Sequence, residues 1–293
     1  LRQENRGLSA ARNAGIAACK SEYIAFLDAD DVWLPTKLAK TMRVLKRHPE
    51  CGVVYSDLIE VDAAGTVINE RYVPPEFAHP PTLADLLRTW WYILPSTVVM
   101  RRALFEACGG FREEFGRRGY GGEDTFLWLV AREHAEFQFV PEPLCFRQVS
   151  SPNEVRSKRH SSLSTHGATA TNDPGECVAG YEVFVQLVHE RYGKSAARLI
   201  RTVRRGQAEV LVNLGLLAMV DGDRKFARSC YLCAVRYAPS LTKTYARLLW
   251  TWLPRKFGTR LAAMMPARVE RGLMGPPFGG YRADLERPRS GIL

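Results

Sequence analysis

The feature that most constrains this chain is a short apolar run that ends in carboxylates. Tyr23-Ile24-Ala25-Phe26-Leu27 carries β-branched and aromatic members between polar neighbours, and it is too short for a helix, so it predicts a buried strand. Asp28, Asp30 and Asp31 follow at once. Three carboxylates therefore stand at the C-terminal end of a strand, the edge at which open α/β sheets bind ligands. Packed carboxylates repel one another unless something positive sits among them, and a hard divalent cation on phosphate oxygens is one answer. The other is a polar loop in which Asp31 caps the next helix, with Pro35 inside its first turn. For an isolated Asp-x-Asp the second reading is the commoner.

The surroundings change that balance. Upstream runs Asn5-Arg6-Gly7-Leu8-Ser9-Ala10-Ala11-Arg12-Asn13-Ala14-Gly15-Ile16, and Val32-Trp33-Leu34-Pro35 leads downstream into a helical pattern. Gly109-Gly110-Phe111 and Gly122-Glu123-Asp124-Thr125-Phe126-Leu127-Trp128 come later. In this order and spacing the four motifs resemble the family 2 glycosyltransferases, inverting enzymes of the GT-A fold that use nucleotide sugars. The resemblance covers residues 1 to about 150.

The resemblance implies a role for each motif. Asp30 becomes a ligand of a divalent cation, Mg2+ or Mn2+, and Asp28 a contact to the ribose or sugar of the donor. Asp31 is either a partner of that loop or the helix cap, and the cap is favoured. Arg12 and Asn13 contact the diphosphate or anchor the Asp28–Asp30 loop; solvated helix surface is the competing reading. Asp124 opens an amphipathic helix whose apolar face includes Phe126, Leu127 and Val130. From spacing alone it is equally a cap or a base, since a first-turn carboxylate is stabilised as the anion by the helix dipole. By resemblance Asp124 is the general base and Glu123 a structural or acceptor-binding partner. No Gln-x-x-Arg-Trp motif is present, which implies a single-addition, non-processive enzyme acting in surface glycan or polysaccharide synthesis. Where many relatives place a His after the last strand, this chain has Phe146-Arg147-Gln148-Val149-Ser150-Ser151. Completion of the metal shell thus falls to His160, His166, or diphosphate and water. Two rival readings remain. A haloacid dehalogenase-type phosphatase would continue Asp-x-Asp with Gly-Thr, whereas Asp31-Val32 follows here. A basic, non-catalytic helical adaptor with a degenerate transferase domain is the other.

Alternating strands and helices in the front half argue for an α/β layer architecture. The predicted organisation is a partial GT-A domain at 1–150, a Ser/Thr-rich linker or loop at 151–176, a helical region at 177–274 and a disordered tail at 275–293. Within the helical region, Gln207 to Val220 and Arg224 to Tyr237 flank a turn at Asp221-Gly222-Asp223 and predict a helical hairpin. Relatives carry a βαβ segment ahead of the Asn5 region, so a chain opening at Leu1 with loop-like residues is expected to be N-terminally incomplete and inactive alone.

Charge divides the same way. Residues 1–176 hold 21 Lys+Arg against 23 Asp+Glu, and residues 177–293 hold 20 against 8. The basic back half, without a nucleic-acid-binding motif, points to an anionic membrane surface and not to nucleic acid. Leu248-Leu249-Trp250-Thr251-Trp252-Leu253-Pro254-Arg255-Lys256 sets tryptophans beside cations, as interfacial elements do; a core-packed helix with a basic face is the alternative. No apolar run is long enough to span a bilayer. The seven cysteines form no small-secreted-domain pattern and read as reduced, which implies a cytoplasmic protein, peripheral on the inner membrane face. Cys230-x-x-Cys233 reads as helix packing.

Overall fold

A computed structural model describes residues 2–88, 92–116, 122–149, 174–220 and 222–252. Its front half is an α/β layer built on one mixed sheet. Helix α1 (Leu8–Ala18) leads to β1 (Tyr23–Ala25), then β2 (Asp31–Trp33), α2 (Lys37–Arg47), β3 (Cys51–Val61) and β4 (Val67–Asn69). Next come α3 (Leu83–Arg88), β5 (Val98–Arg101), α4 (Arg102–Ala107), α5 (Glu113–Gly116), α6 (Glu123–His134) and β6 (Glu136–Gln148).

The strand order is β1-β5-β3-β6-β2, with β4 paired to the far end of β3. The central strands β3 and β6 run parallel, from Val53 opposite Phe137 to Val61 opposite Gln148. Residues Cys51 to Leu58 of β3 are all buried, as expected of a parallel strand covered on both faces. Strand β5 is antiparallel to β1 and β3, and β2 is antiparallel to β6. So β1 and β2, separated in sequence by residues 26–30, lie at opposite ends of the strand order. The acidic segment between them has to cross the end of the sheet. It does so over the Pro95–Thr97 turn that feeds β5, where the Asp28 N–H donates to Ser96 Oγ at 3.0 Å.

One expectation is corrected here. Asp31 does not cap a helix: it opens β2, directly opposite Arg147 on β6. Helix α2 begins at Lys37 after an N-cap at Thr36 that makes no side-chain cap bond, and Pro35 lies outside it. The backbone pairing of Asp31–Trp33 with β6, which no local pattern announces, claims the residues that a cap would have used.

Among the described residues four helices follow: α7 (Pro174–Tyr192), α8 (Ala196–Val220), α9 (Arg224–Tyr237) and α10 (Thr242–Trp250). The predicted hairpin is α8 against α9. At its crossing Gly215 lies against the Tyr231 ring, where a Cβ would come within 2.5 Å of Cε1. Cys230 is buried in this contact and Cys233 half-buried. The sequence division at residue 177 does not separate two cores. Phe184, Leu187, Val188 and Val203 belong to the same apolar cluster as Phe126 and Trp128, and a second cluster around Leu211, Leu216, Tyr231 and Ala234 holds the hairpin. Most of the predicted linker, and the predicted tail, lie outside the described residues. Among those residues, no helix is long and apolar enough to cross a membrane.

Candidate active site

The site assembles around Arg12. Helix α1 presents the guanidinium to two carboxylates from distant segments: Nη2 donates to Asp28 Oδ1 at 2.7 Å and Nη1 to Glu123 Oε1 at 2.8 Å. Its cation also stacks on the Phe111 ring, 5.3 Å from the centroid. One half-buried arginine therefore ties together α1, the crossing loop after β1 and the first turn of α6. Charge-assisted bonds of this kind are short and directional, and the planar fork suits two acceptors at once.

Asp124 is the next residue on α6 and shares this field. Burial, then the adjacent Glu123 charge, pushes its carboxyl up to about 7; Arg12 and the Thr125 N–H, 2.6 Å from Oδ1, pull it down without prevailing. The first-turn dipole is thus outweighed by desolvation and like charge. A carboxylate that titrates near neutrality is suited to take a proton.

Asn13 does different work from that expected. Its Nδ2 donates to Phe111 O at 2.8 Å and its Oδ1 accepts from Phe111 N at 3.0 Å. Both ends of the amide are closed on the Gly109-Gly110-Phe111 turn, which holds that turn against α1. Glu123 is occupied by Arg12 and nearly buried, which makes it a structural partner of that arginine. Asp30 lies exposed at the tip of the crossing loop.

Several residues around Asp28 and Asp31 carry no motif of their own. Ser96 holds Asp28 from below. In the row Asp31–Arg147–Glu60, made by cross-strand register, Arg147 Nη1 reaches Glu60 Oε1 at 3.3 Å and its guanidinium lies 5.6 Å from the Tyr72 ring centroid. Burial raises Asp31 to about 6, with the Ser96 hydrogen bond and Arg147 opposing and Asp28 and Asp30 adding. Tyr72 is fixed by Asp57, whose Oδ1 accepts from the Leu58, Tyr72 and Val73 N–H groups at 2.8, 2.9 and 3.0 Å. Arg147 was visible in sequence only as the residue found where a His was sought.

Among the described residues no three His, Cys, Asp or Glu side chains gather as a metal site, and His160 and His166 lie outside them. Asp28 and Asp30 stand two residues apart on the crossing loop, with Asp30 exposed, and two carboxylates leave most of a hard cation's oxygen ligands to phosphate and water.

Residues 1–109 match the family model described as glycosyl transferase family 2. Residues 1–109 therefore form a glycosyl transferase family 2 domain. An O-antigen biosynthesis protein, RfbC, of Myxococcus xanthus is 34% identical over 134 residues, 46% of this chain and 10% of that protein. A glycosyltransferase of Nostoc, alr2836, is 43% identical over 70 residues, 22% of each chain. The chain thus spans under a quarter of those two curated relatives. The Mycobacterium tuberculosis protein Rv1520 is 33% identical over 304 aligned residues, 98% of this chain and 79% of that protein. In fold, S. aureus TarS 1-349, solved in complex with UDP-GlcNAc, matches with a TM-score of 0.50 at 14% identity, covering 86% of this chain and 71% of TarS 1-349. The family 2 front half is accordingly a mixed α/β domain of GT-A type, followed by helices.

Proposed function

We propose that this chain is a non-processive, inverting glycosyltransferase that moves one sugar from a nucleotide-sugar donor to an acceptor hydroxyl. The observation that carries the reading is the Arg12 constellation, which brings together Asp28 from the crossing loop and the Glu123-Asp124 turn of α6. The acceptor oxygen attacks the anomeric carbon, the bond from that carbon to the donor phosphate breaks, and Asp124 receives the acceptor proton. Asp28 holds the donor's ribose or sugar while Arg12 fixes Asp28 in place. Glu123, which raises the proton affinity of Asp124, stays on Arg12. Attack from the face opposite the leaving group inverts the anomeric centre. A single base is then sufficient.

Asp30, with Asp28 beside it, would hold a Mg2+ or Mn2+ ion. When bound, the ion supplies Lewis-acid stabilisation of the leaving diphosphate. The reading of the acceptor as a surface glycan or its precursor is supported by the O-antigen biosynthesis protein among the relatives.

The decisive experiment pairs two measurements on Asp124→Asn in the full-length protein. Transfer should fall by ~10²–10⁴-fold, the usual worth of general base catalysis, while nucleotide-sugar affinity by calorimetry stays near wild type. A variant that keeps more than about a tenth of the wild-type rate removes Asp124 from the role.

A further inference from the structure

The end of the helical region carries a surface that the transfer reaction does not use. Helix α10 is clamped to α9 by one stripe: Thr244 and Thr251 are buried, and Leu248 packs into the hairpin core. Arg228 of α9 locks the join by donating to Thr251 Oγ1 at 3.2 Å and to Thr251 O at 3.3 Å. A second stripe, Tyr245, Leu249 and Trp252, follows the same i, i+4, i+7 spacing and points to solvent, with Leu249 69% and Trp252 67% exposed. The neighbouring face of α9 puts Lys225, Arg228 and Arg236 around Leu232, itself 53% exposed. Arg228 lies over the Trp252 ring, 3.6 Å from its centroid, so the two faces meet.

Residues 222–252 hold six Lys and Arg against one acid, Asp223. That carboxylate is spent on capping α9, accepting the Phe226 N–H at 3.0 Å. We propose that this α9–α10 face docks the protein on an anionic lipid surface, with Trp252, Leu249 and Leu232 entering the boundary between headgroups and acyl chains and the flanking cations meeting lipid phosphates. Two features select this occupant. Exposed aliphatic side chains between cations offer nothing to a nucleic-acid backbone, which needs charge alone. An aromatic next to Arg and Lys matches the headgroup layer, where apolar insertion and electrostatic attraction add. The inference goes beyond glycosyl transfer and stands or falls separately from it.

The test is flotation of the full chain with vesicles of phosphatidylcholine alone or with about a third phosphatidylglycerol, at about 0.1 M and 0.5 M salt. Wild type should float with anionic vesicles, fail with neutral ones and release at the higher salt. Lys225→Glu/Arg236→Glu should weaken binding by about thirty-fold or more, two cations' worth. Leu249→Ser/Trp252→Ser should weaken it at unchanged charge, with far-UV circular dichroism of both variants matching wild type. Equal recovery on the two vesicle types, recovery on neither, or binding that ignores both double variants overturns the proposal. So does tight binding to random duplex DNA without vesicle recovery. Donor calorimetry on the same samples keeps the transferase reading separate, since neither pair touches the Arg12 constellation.

Discussion

A guanidinium shared by Asp28 and Glu123 sets the working proton affinity of the residue beside them. Arg12 favours the Asp124 anion, while burial and the Glu123 charge oppose it, and the balance stands at about 7. Because a base acts as the anion, the rate should climb between about pH 5 and 8 with its acid limb near 7. Arg12→Gln removes the favourable charge, so that limb should move to higher pH and the rate at pH 7 should drop. A kcat/KM profile whose limb stays fixed would disprove the coupling. The same shift has a stability sign. The folded state binds the Asp124 proton more tightly than the unfolded chain, whose carboxyl titrates near 3.8. This contribution is therefore fully present below that value and is lost as pH rises through about 7. Asp124→Asn, which cannot ionise, should raise stability at pH 8 by on the order of 1 kcal/mol relative to wild type, discounted because the side chain is only half-buried. Thermal melts at pH 5 and 8 check it: the gain must be larger at pH 8. Arg12, Asp28 and Asp124 could be read from sequence because each sits in a local motif. Ser96, Tyr72, Glu60 and Arg147 could not, since they reach the site through register between strands far apart in the chain.

Individual elements show what local pattern reaches and where it stops. Helices α6 and α9 lie where apolar spacing and turn residues put them, within a residue or two. The Asp31 cap failed because β2 is three residues long and exists only by pairing with β6, more than 110 residues later. The Gly109-Gly110-Phe111 turn closes on Asn13, 98 residues away from Phe111, a partner different from the diphosphate, the Asp28–Asp30 loop or the solvent that the sequence offered for that amide. Gly110 has a φ of +74°, and a Cβ there would meet Asn13 Oδ1 at 3.0 Å and Phe105 Cζ at 3.3 Å. Gly110→Ala should thus cost about 1–3 kcal/mol from left-handed backbone strain. It should also disturb the amide that registers the turn on α1, one residue from Arg12. The expected result is a lower melting temperature together with a reduced kcat. A variant that melts earlier but keeps its kcat would confine Asn13 to stability.

At the scale of the whole molecule, composition suggested a neutral enzyme half followed by a basic helical half, and charge does divide that way. Packing does not follow charge. Phe184 of α7 is fully buried, with its ring edge-on to Phe126 at 5.7 Å between centroids, and Phe126 lies two residues after the proposed base on α6. The ion pair of Arg191 with Glu133, at 2.6 Å, fastens the other end of α7 to α6. Helix α7 is thus fastened along α6 at both ends. This joint was illegible in sequence because the apolar residues of α7 say that a face is buried but not against what. Phe184→Ala should cost about 3–5 kcal/mol, the usual range for removing a large buried aromatic, and the loss should reach the active site. Loss of activity on heating and loss of near-ultraviolet circular dichroism should move down together in this variant, as one cooperative transition. If helices and sheet were independent units, a lower transition would appear alone while activity melted at the wild-type temperature, and the shared core would be refuted.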